Sequence, residues 1–287
     1  MLQLLIICFL CILATTKSVI FSVLSKKRLN CLADGMLING LVFLAAALLF
    51  SQYITAGSLP TVIFGITLGT LSVLYQLAYT TALSTGPLSL TGLINNLAMV
   101  VPIAVSAIVF KEPLSIWRAA GIILTIVSFV INTRIGPEEK ISKKWGVFIA
   151  LSFLCNGLVA STTKIYSYTM GSAETYSFVA CSYTTATLLA AIVYLIQKFK
   201  GKPKTCRYNP SLFILTAIAG IILGSFQSIY TYASSIIDGT LLFPAYNGGF
   251  TLLVTITGVI MFKERLNKRQ LLGVITGAVA IILMCIA

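Results

Sequence analysis

Long runs of apolar residues, separated by short polar breaks, make up most of this chain. Ten of these runs are close to the roughly 20 residues that an α-helix needs to cross the hydrocarbon core of a bilayer. None of the breaks is long enough to hold a soluble domain. The pattern predicts ten membrane-spanning helices, at 2–25, 32–51, 61–83, 88–110, 114–133, 145–169, 175–197, 210–235, 240–262 and 267–287.

The composition supports a lipid environment. Hydrophobic residues are 58% of the chain and charged residues only 9%, whereas a soluble domain carries about 25% charged residues. Histidine, the commonest metal ligand and general base, is absent. Six of the seven cysteines lie in or beside apolar runs, and we interpret Cys8 and Cys11 as packing residues. We therefore expect an all-α membrane protein without a cofactor and without enzymatic activity.

The basic residues are distributed unevenly between the two sides that ten spans would create. The formal net charge is +13, and 16 of the 20 Lys and Arg residues fall in breaks on one side, against two on the other. Short cytoplasmic loops are rich in Lys and Arg. The bias predicts a multi-pass protein of the cell membrane with both termini outside the cytoplasm, and it explains the charge without nucleic acid. We interpret the apolar N-terminal run as the first helix and not as a removed signal peptide.

Several short phrases occur once in each half of the chain, which indicates an internal repeat. The matching segments are FKEPL at 110–114 with FKERL at 262–266, QLAYTTALS at 76–84 with QSIYTYASS at 227–235, and ATTK at 14–17 with STTK at 161–164. Asn95 also matches Asn247, and Gly121 matches Gly273. We predict two five-helix repeats, residues 1–136 and 137–287. Five is an odd number, so the second repeat must be inverted relative to the first, an arrangement typical of secondary transporters.

The repeated charged phrases carry a resemblance to a known family. Lys111-Glu112-Pro113-Leu114 followed by Gly121, and Lys263-Glu264-Arg265-Leu266 followed by Gly273, are similar to motifs of the ten-helix EamA-type members of the drug/metabolite transporter superfamily. The resemblance implies a basket of helices around a central cavity, alternating access, and export as the direction. Many members keep both termini in the cytoplasm, and the charge bias of this chain departs from that expectation.

Glu112 and Glu264 each precede an apolar run, and Pro113 follows the first of them. A carboxylate at a helix N-terminus meets unpaired N–H groups and the positive end of the helix dipole. We expect these residues to mark where the fifth and tenth helices begin.

Lys17 and Lys164 are the two basic residues far from the nominal starts of the predicted spans, and they match under the repeat. Counting along their helices at about 1.5 Å per residue places both near mid-depth. A charge at that depth is costly and is by default a functional candidate. The alternatives are a side chain that reaches to the membrane surface and a structural hydrogen bond to a carbonyl. All seven acids lie at span ends or in loops, so two lysines in a cavity would favour a carboxylate- or phosphate-bearing substrate.

Polar and aromatic residues in the spans complete the predicted substrate-binding set. Besides Lys17 and Lys164, this set contains Gln76, Tyr79, Asn95, Gln227, Tyr230, Tyr246 and Asn247. Amides in a span also bond neighbouring helices, which is the alternative for these residues. Pro102 in the fourth predicted helix, and Pro244 with Gly248 and Gly249 in the ninth, predict interruptions of both helices, where such folds place their sites.

The sequence thus predicts a secondary active transporter of a small polar organic solute, an amino acid or a related metabolite. Its partners would be this solute and the lipid bilayer, and it would act as a monomer or homodimer. A multidrug or cationic-compound exporter is the alternative, although no acid is predicted at mid-depth. A membrane-embedded lipid-modifying enzyme is a further alternative, but no clustered acids or nucleophile–base pair supports it.

Overall fold

The computed structural model describes residues 2–28, 32–133, 142–199, 210–262 and 268–286. Over these ranges the protein is all-helical, with no strand. The helices are α1 (Leu2–Arg28), α2 (Leu32–Leu49), a 3₁₀-helix (Ser51–Ala56), α3 (Leu59–Thr85), α4 (Leu88–Leu97), α5 (Val100–Ile108), α6 (Ile116–Asn132), α7 (Lys143–Met170), α8 (Thr175–Phe199), α9 (Pro210–Ile236), α10 (Gly239–Phe262) and α11 (Lys268–Ile286).

Seven helical segments in the described ranges are long and apolar enough to cross a membrane. They are Leu2–Phe21, Leu59–Thr85, Leu90–Ile108, Lys143–Met170, Thr175–Phe199, Phe213–Ile236 and Gly239–Met261. Less than half of each is buried inside the protein, and large apolar side chains such as Ile12, Leu188 and Ile260 face outward. An apolar surface of this extent is unusual for a soluble monomer. The chain is a membrane protein.

The expected interruption of the fourth predicted helix occurs, whereas that of the ninth does not. Residues 98 and 99 form a turn between α4 and α5. Pro102 has no N–H to offer the Ala98 carbonyl, which accepts instead from Val101 N at 3.1 Å. In contrast, α10 is continuous with Pro244 inside it. The prediction of a broken ninth helix was therefore wrong.

The helices of the two halves pack in matching combinations. Helix α3 packs against α7 and α8, and its counterpart α9 packs against α1 and α2. Helix α7 packs against α4 and α5, just as α1 packs against α10. The pairs α2 with α8 and α6 with α11 each join two counterparts. Replacing each helix by its counterpart in the other half therefore gives the same set of contacts.

Close approaches at two glycines show this correspondence in atomic detail. A Cβ at Gly69 in α3 would clash with the Ser182 carbonyl, the Thr185 Cβ and the Ala186 nitrogen of α8. A Cβ at Gly220 in α9 would clash with the same three kinds of atom in α2, namely the Val42 carbonyl, the Ala45 Cβ and the Ala46 nitrogen. The matched glycines thus allow two equivalent close packings of helix backbones.

Helices α6 and α11 cross with opposite directions. Gly121, near the start of α6, packs against Met284 near the end of α11, while Gly273, near the start of α11, packs against Asn132 at the end of α6. Ser128 Oγ donates to the Gly273 carbonyl at 2.7 Å across the same interface. The two glycines that match in the sequence therefore hold one antiparallel helix pair together.

Candidate functional site

A cavity of about 220 Å³ lies between α1, α2 and α3. It contains two of the predicted site residues, Gln76 and Tyr79, which the geometry of α3 places with Tyr75 and Thr80 on the cavity side. The lining residues are Phe21, Gly35, Ile38, Asn39, Tyr75, Gln76, Tyr79, Thr80 and Leu83. Apolar walls with a few amides and hydroxyls are typical of a small-molecule site.

Aromatic rings form a cluster in the second half of the chain. Tyr230 and Tyr246 are predicted site residues, and their ring centroids are 5.6 Å apart. Phe226 contacts both rings, at 5.3 Å from Tyr230 and 5.5 Å from Tyr246. Phe250 extends the cluster from Tyr246. The structure therefore brings these two tyrosines together on α9 and α10.

Lys17 adjoins this cluster. Its Nζ lies 5.7 Å from the centroid of the Phe226 ring, a distance at which an ammonium is attracted by the face of the ring. Lys17 is half-buried, one helical turn before Phe21 of the cavity wall. Among the described residues it has no carboxylate partner. Lys17 thus offers a positive charge within the membrane-spanning part of the protein.

Asn95 links the two halves where α4 ends. The Asn156 side-chain amide of α7 donates to the Asn95 carbonyl at 3.1 Å and to its Oδ1 at 3.3 Å. The Asn95 side chain also interacts with Tyr75 of the cavity wall. Neither Asn156 nor Tyr75 was predicted from the sequence. The sequence did contain a signal for Tyr75, because Tyr75 precedes the predicted site residue Tyr79 by one helical turn. In the structure the two rings stack.

Two predicted amides bond within the protein. Gln227 is buried, and its Nε2 donates to Thr163 Oγ1 at 3.2 Å and to Thr231 Oγ1 at 3.4 Å. Asn247 Nδ2 donates to the Phe243 carbonyl at 2.8 Å in the same helix. In the structure, both amides therefore make hydrogen bonds that stabilise helices or their packing.

Lys164 occupies a different environment from that expected. Helix α7 ends at Met170, so Lys164 lies about 9 Å from the helix end and not near its middle. Its Nζ is 2.7 Å from Glu112 Oε1, and only 5% of the Lys164 side chain and 10% of the Glu112 side chain are exposed. Nζ also donates to the carbonyls of Ser234 and Ile237, at 3.0 and 3.1 Å. This ammonium is fully occupied by protein groups at the C-terminal end of α9.

The expectation that Glu112 marks the start of the fifth helix was also wrong. Helix α6 begins at Ile116, and Ser115 is its cap, with Ser115 Oγ accepting from Arg118 N at 3.2 Å. Glu112 Oε2 instead accepts from Thr240 N at 3.2 Å, in the first turn of α10. The carboxylate therefore faces a helix N-terminus of the other half. Its repeat counterpart Glu264 lies outside the described residues.

Two further carboxylates connect the two halves of the chain. Asp238 lies between α9 and α10, and Glu174 lies between α7 and α8. Asp238 Oδ2 accepts from Arg118 at 2.8 Å, and Arg118 also donates to Thr240 Oγ1 at 3.1 Å. Glu174 accepts from the N–H and the hydroxyl of Ser58, both at 2.8 Å. Hydrogen bonds from Thr61 and Ser58 lower the pKa of Glu174. We refer to the bonds of Glu112, Glu174 and Asp238 as the carboxylate contacts.

Comparisons with known proteins establish the fold and leave the function open. No family model matches the chain. An uncharacterized protein of Haemophilus influenzae is 28% identical over 195 residues, which cover 65% of this chain and 62% of that protein. A protein of known crystal structure is similar with a TM-score of 0.80 and 16% identity, over 99% of this chain and 96% of that chain. A likeness at this identity concerns the fold alone.

Proposed function

We propose that the protein is a secondary active transporter of the EamA type, built from two inverted five-helix repeats of ten spans in total. In this proposal α4 and α5 together form the fourth span. The observation that carries this proposal is that each half makes helix contacts equivalent to those of the other half. Chance similarity between apolar helices does not explain why Gly69 and Gly220 approach the same three kinds of backbone and Cβ atom in two different helices.

Inversion of the second repeat is supported by the orientation of counterpart helices. Gly121 and Gly273 place the start of α6 beside the end of α11 and the reverse. Counterparts α2 and α8 are also antiparallel, since Phe43 stacks with Tyr183 and Phe50 stacks with Tyr176. Antiparallel counterparts are required by a pseudo-two-fold axis in the membrane plane, which is the symmetry of many alternating-access carriers.

The proposed substrate is a small solute with a single carboxylate and an apolar or aromatic body, such as an amino acid or a related metabolite. Glu112 neutralises Lys164, so of these two lysines Lys17 is the one left for a substrate. One ammonium matches a carboxylate better than a phosphate, which carries close to two charges at neutral pH. The rings of Tyr75, Tyr79 and Phe226 would contact the apolar body.

Counterflow into proteoliposomes tests the transport function. Vesicles loaded with unlabelled solute should accumulate the labelled solute transiently, with saturable kinetics, if the protein is a carrier. Linear, unsaturable flux would indicate a channel and would refute the proposal.

A thermal-shift panel of compounds sharing a phenyl ring tests the charge preference. 3-Phenylpropionate and phenylalanine should raise the midpoint of unfolding. Phenyl phosphate and phenyltrimethylammonium should do so less or not at all. A larger shift with the quaternary amine would favour a multidrug exporter instead.

A further inference from the structure

We propose that the carboxylate contacts form a closed gate at one end of the molecule, and that opening to that side requires them to separate. This inference rests on the proposed transport function. It adds the residues that close one entrance and identifies which entrance the structure shows closed. Each of the three carboxylates joins the first half of the chain to the second.

The most buried of these contacts is the Glu112–Lys164 pair. Glu112 belongs to the segment between α5 and α6, whereas Lys164 belongs to α7 and also bonds the last carbonyls of α9. The Thr240 N–H of α10 donates to the other oxygen of Glu112. One carboxylate thus holds a segment of the first half against three helices of the second.

A second contact lies beside the first and also joins the two halves of the chain. Arg118 of α6 pairs with Asp238, in the turn between α9 and α10, and also donates to the Pro113 carbonyl at 3.1 Å. Thr240 Oγ1 donates to the Pro113 carbonyl at 3.3 Å. Because Thr240 bonds both Glu112 and Arg118, the two contacts form one polar network.

Glu174 forms the third contact, between the start of α8 and the start of α3. Its bonds to Ser58 and Thr61 attach the first turn of α3 to the turn that follows α7. The side chains of Glu112, Glu174 and Asp238 are the carboxylates that the structure describes, and all three bridge the halves. Helices of one carrier half move against the other during alternating access, so these bonds oppose that movement.

The cavity lies toward the opposite end of the protein. Helix α3 measures the separation, because Ser58 and Thr61 are at its start while Tyr75, Tyr79 and Leu83 of the cavity wall come later. Fourteen to 22 residues of helix correspond to about 20–33 Å. Charged contacts therefore join the halves where the carboxylates lie, and the cavity lies near the other end, where the hydrogen bond from Ser142 Oγ to the Thr85 carbonyl joins them.

Spin-label distance measurements on the full chain in lipid nanodiscs test the gate. Leu114→Cys with Ala173→Cys reports the carboxylate end, and Ser84→Cys with Lys144→Cys is the reference pair at the other end, where Ser142 Oγ already donates to the Thr85 carbonyl at 3.3 Å. Both pairs are placed in a chain whose seven native cysteines are replaced by alanine. The gate is released by Glu112→Gln with Lys164→Met, which removes both charges and leaves no buried ion unpaired. Thr276→Ala, which removes only a bond to Leu272 within α11, is the control.

We expect the double neutral variant to shift the Leu114–Ala173 distances to longer values and to leave the Ser84–Lys144 distances unchanged, while Thr276→Ala changes neither. A folded double variant with both distributions unchanged would overturn the gate. If that variant does not fold, Glu174→Gln with Asp238→Asn is measured with the same labels and judged by the same shifts. These distances are read without any solute, so a failure of counterflow would refute the transport proposal and leave the gate result standing.

Discussion

Lys17 and Lys164 show how the surroundings of a residue decide its role. Both follow a Thr-Thr pair in matching segments, yet Lys164 is neutralised by Glu112 and by helix carbonyls, whereas Lys17 faces an aromatic ring. The difference in role arises because Lys164 reaches the carbonyls at the C-terminal end of α9, whereas Lys17 reaches the Phe226 ring within α9. Substitution of the two residues should therefore give two different phenotypes.

Lys17→Gln should leave the unfolding midpoint nearly unchanged, because no described carboxylate depends on this ammonium. It should abolish the thermal shift caused by 3-phenylpropionate. Lys17→Arg keeps the charge and should retain part of the shift. An undiminished shift in Lys17→Gln would exclude this lysine from the substrate site.

Lys164→Ala should destabilise the fold strongly. Removing one member of a buried ion pair leaves the other charge uncompensated, at a typical cost of about 3–5 kcal/mol. Unfolding in detergent should show a lower midpoint for Lys164→Ala than for Glu112→Gln with Lys164→Met, which leaves no buried charge. Equal midpoints for the two variants would mean that the unpaired carboxylate is well solvated.

Glu174 predicts a pH effect on stability. Its hydrogen bonds to Thr61 and Ser58 lower its folded-state pKa below the ordinary value of a glutamate. A group of this kind stabilises the fold fully above its unfolded pKa, and the stabilisation disappears as the pH falls through the lowered folded pKa. The unfolding midpoints of the wild type and Glu174→Gln should thus differ at pH 7, and the difference should shrink as the pH falls through the lowered pKa of Glu174. A difference that is constant with pH would contradict this assignment.

At the scale of the helices, small residues decide which pairs can approach. Gly69 and Gly220 permit backbone contact between α3 and α8 and between α2 and α9. Pro102 has the opposite effect, because it divides the fourth predicted span and places Asn95 at a helix end beside Asn156. These are local effects of one side chain on the course of a helix.

Gly69→Ala and Gly220→Ala should each lower the stability, since overpacking of a tight contact costs about 1–3 kcal/mol. Gly146→Ala is the matched control, because a Cβ there meets nothing within 4 Å and alanine favours a helix by up to about 1 kcal/mol. Unfolding midpoints in detergent measure all three. Similar losses at Gly69 and Gly220 would support the equivalence of the two contacts, and no loss at either would contradict it.

At the scale of the whole molecule, the charge bias predicts a direction of the protein in the membrane. Sixteen basic residues fall in breaks on one predicted side, and short loops of that composition remain in the cytoplasm. The carboxylate contacts lie at the other end, as do the first and last described residues of the chain. The proposed gate would then close the non-cytoplasmic entrance.

Fusions to alkaline phosphatase and to green fluorescent protein test this orientation. The phosphatase should be active when it is fused at either terminus, and the fluorescent protein should be fluorescent when it is fused after Phe199, in a basic break. The reverse pattern would put both termini in the cytoplasm, as in many EamA-type proteins, and would move the proposed gate to the cytoplasmic side.

The sequence alone determined that the protein is helical and that it lies in a membrane. It also showed that Lys17 matches Lys164 and that Gly121 matches Gly273. Composition and the length of apolar runs depend on the solvent and on the rise of a helix, so they can be read without coordinates. The partners of Glu112 and Lys164, the turn at residues 98–99 and the continuity of α10 were decided by the tertiary structure. Each depends on contacts between segments far apart in the chain, and a pattern along one segment contains no information about the atoms that it meets.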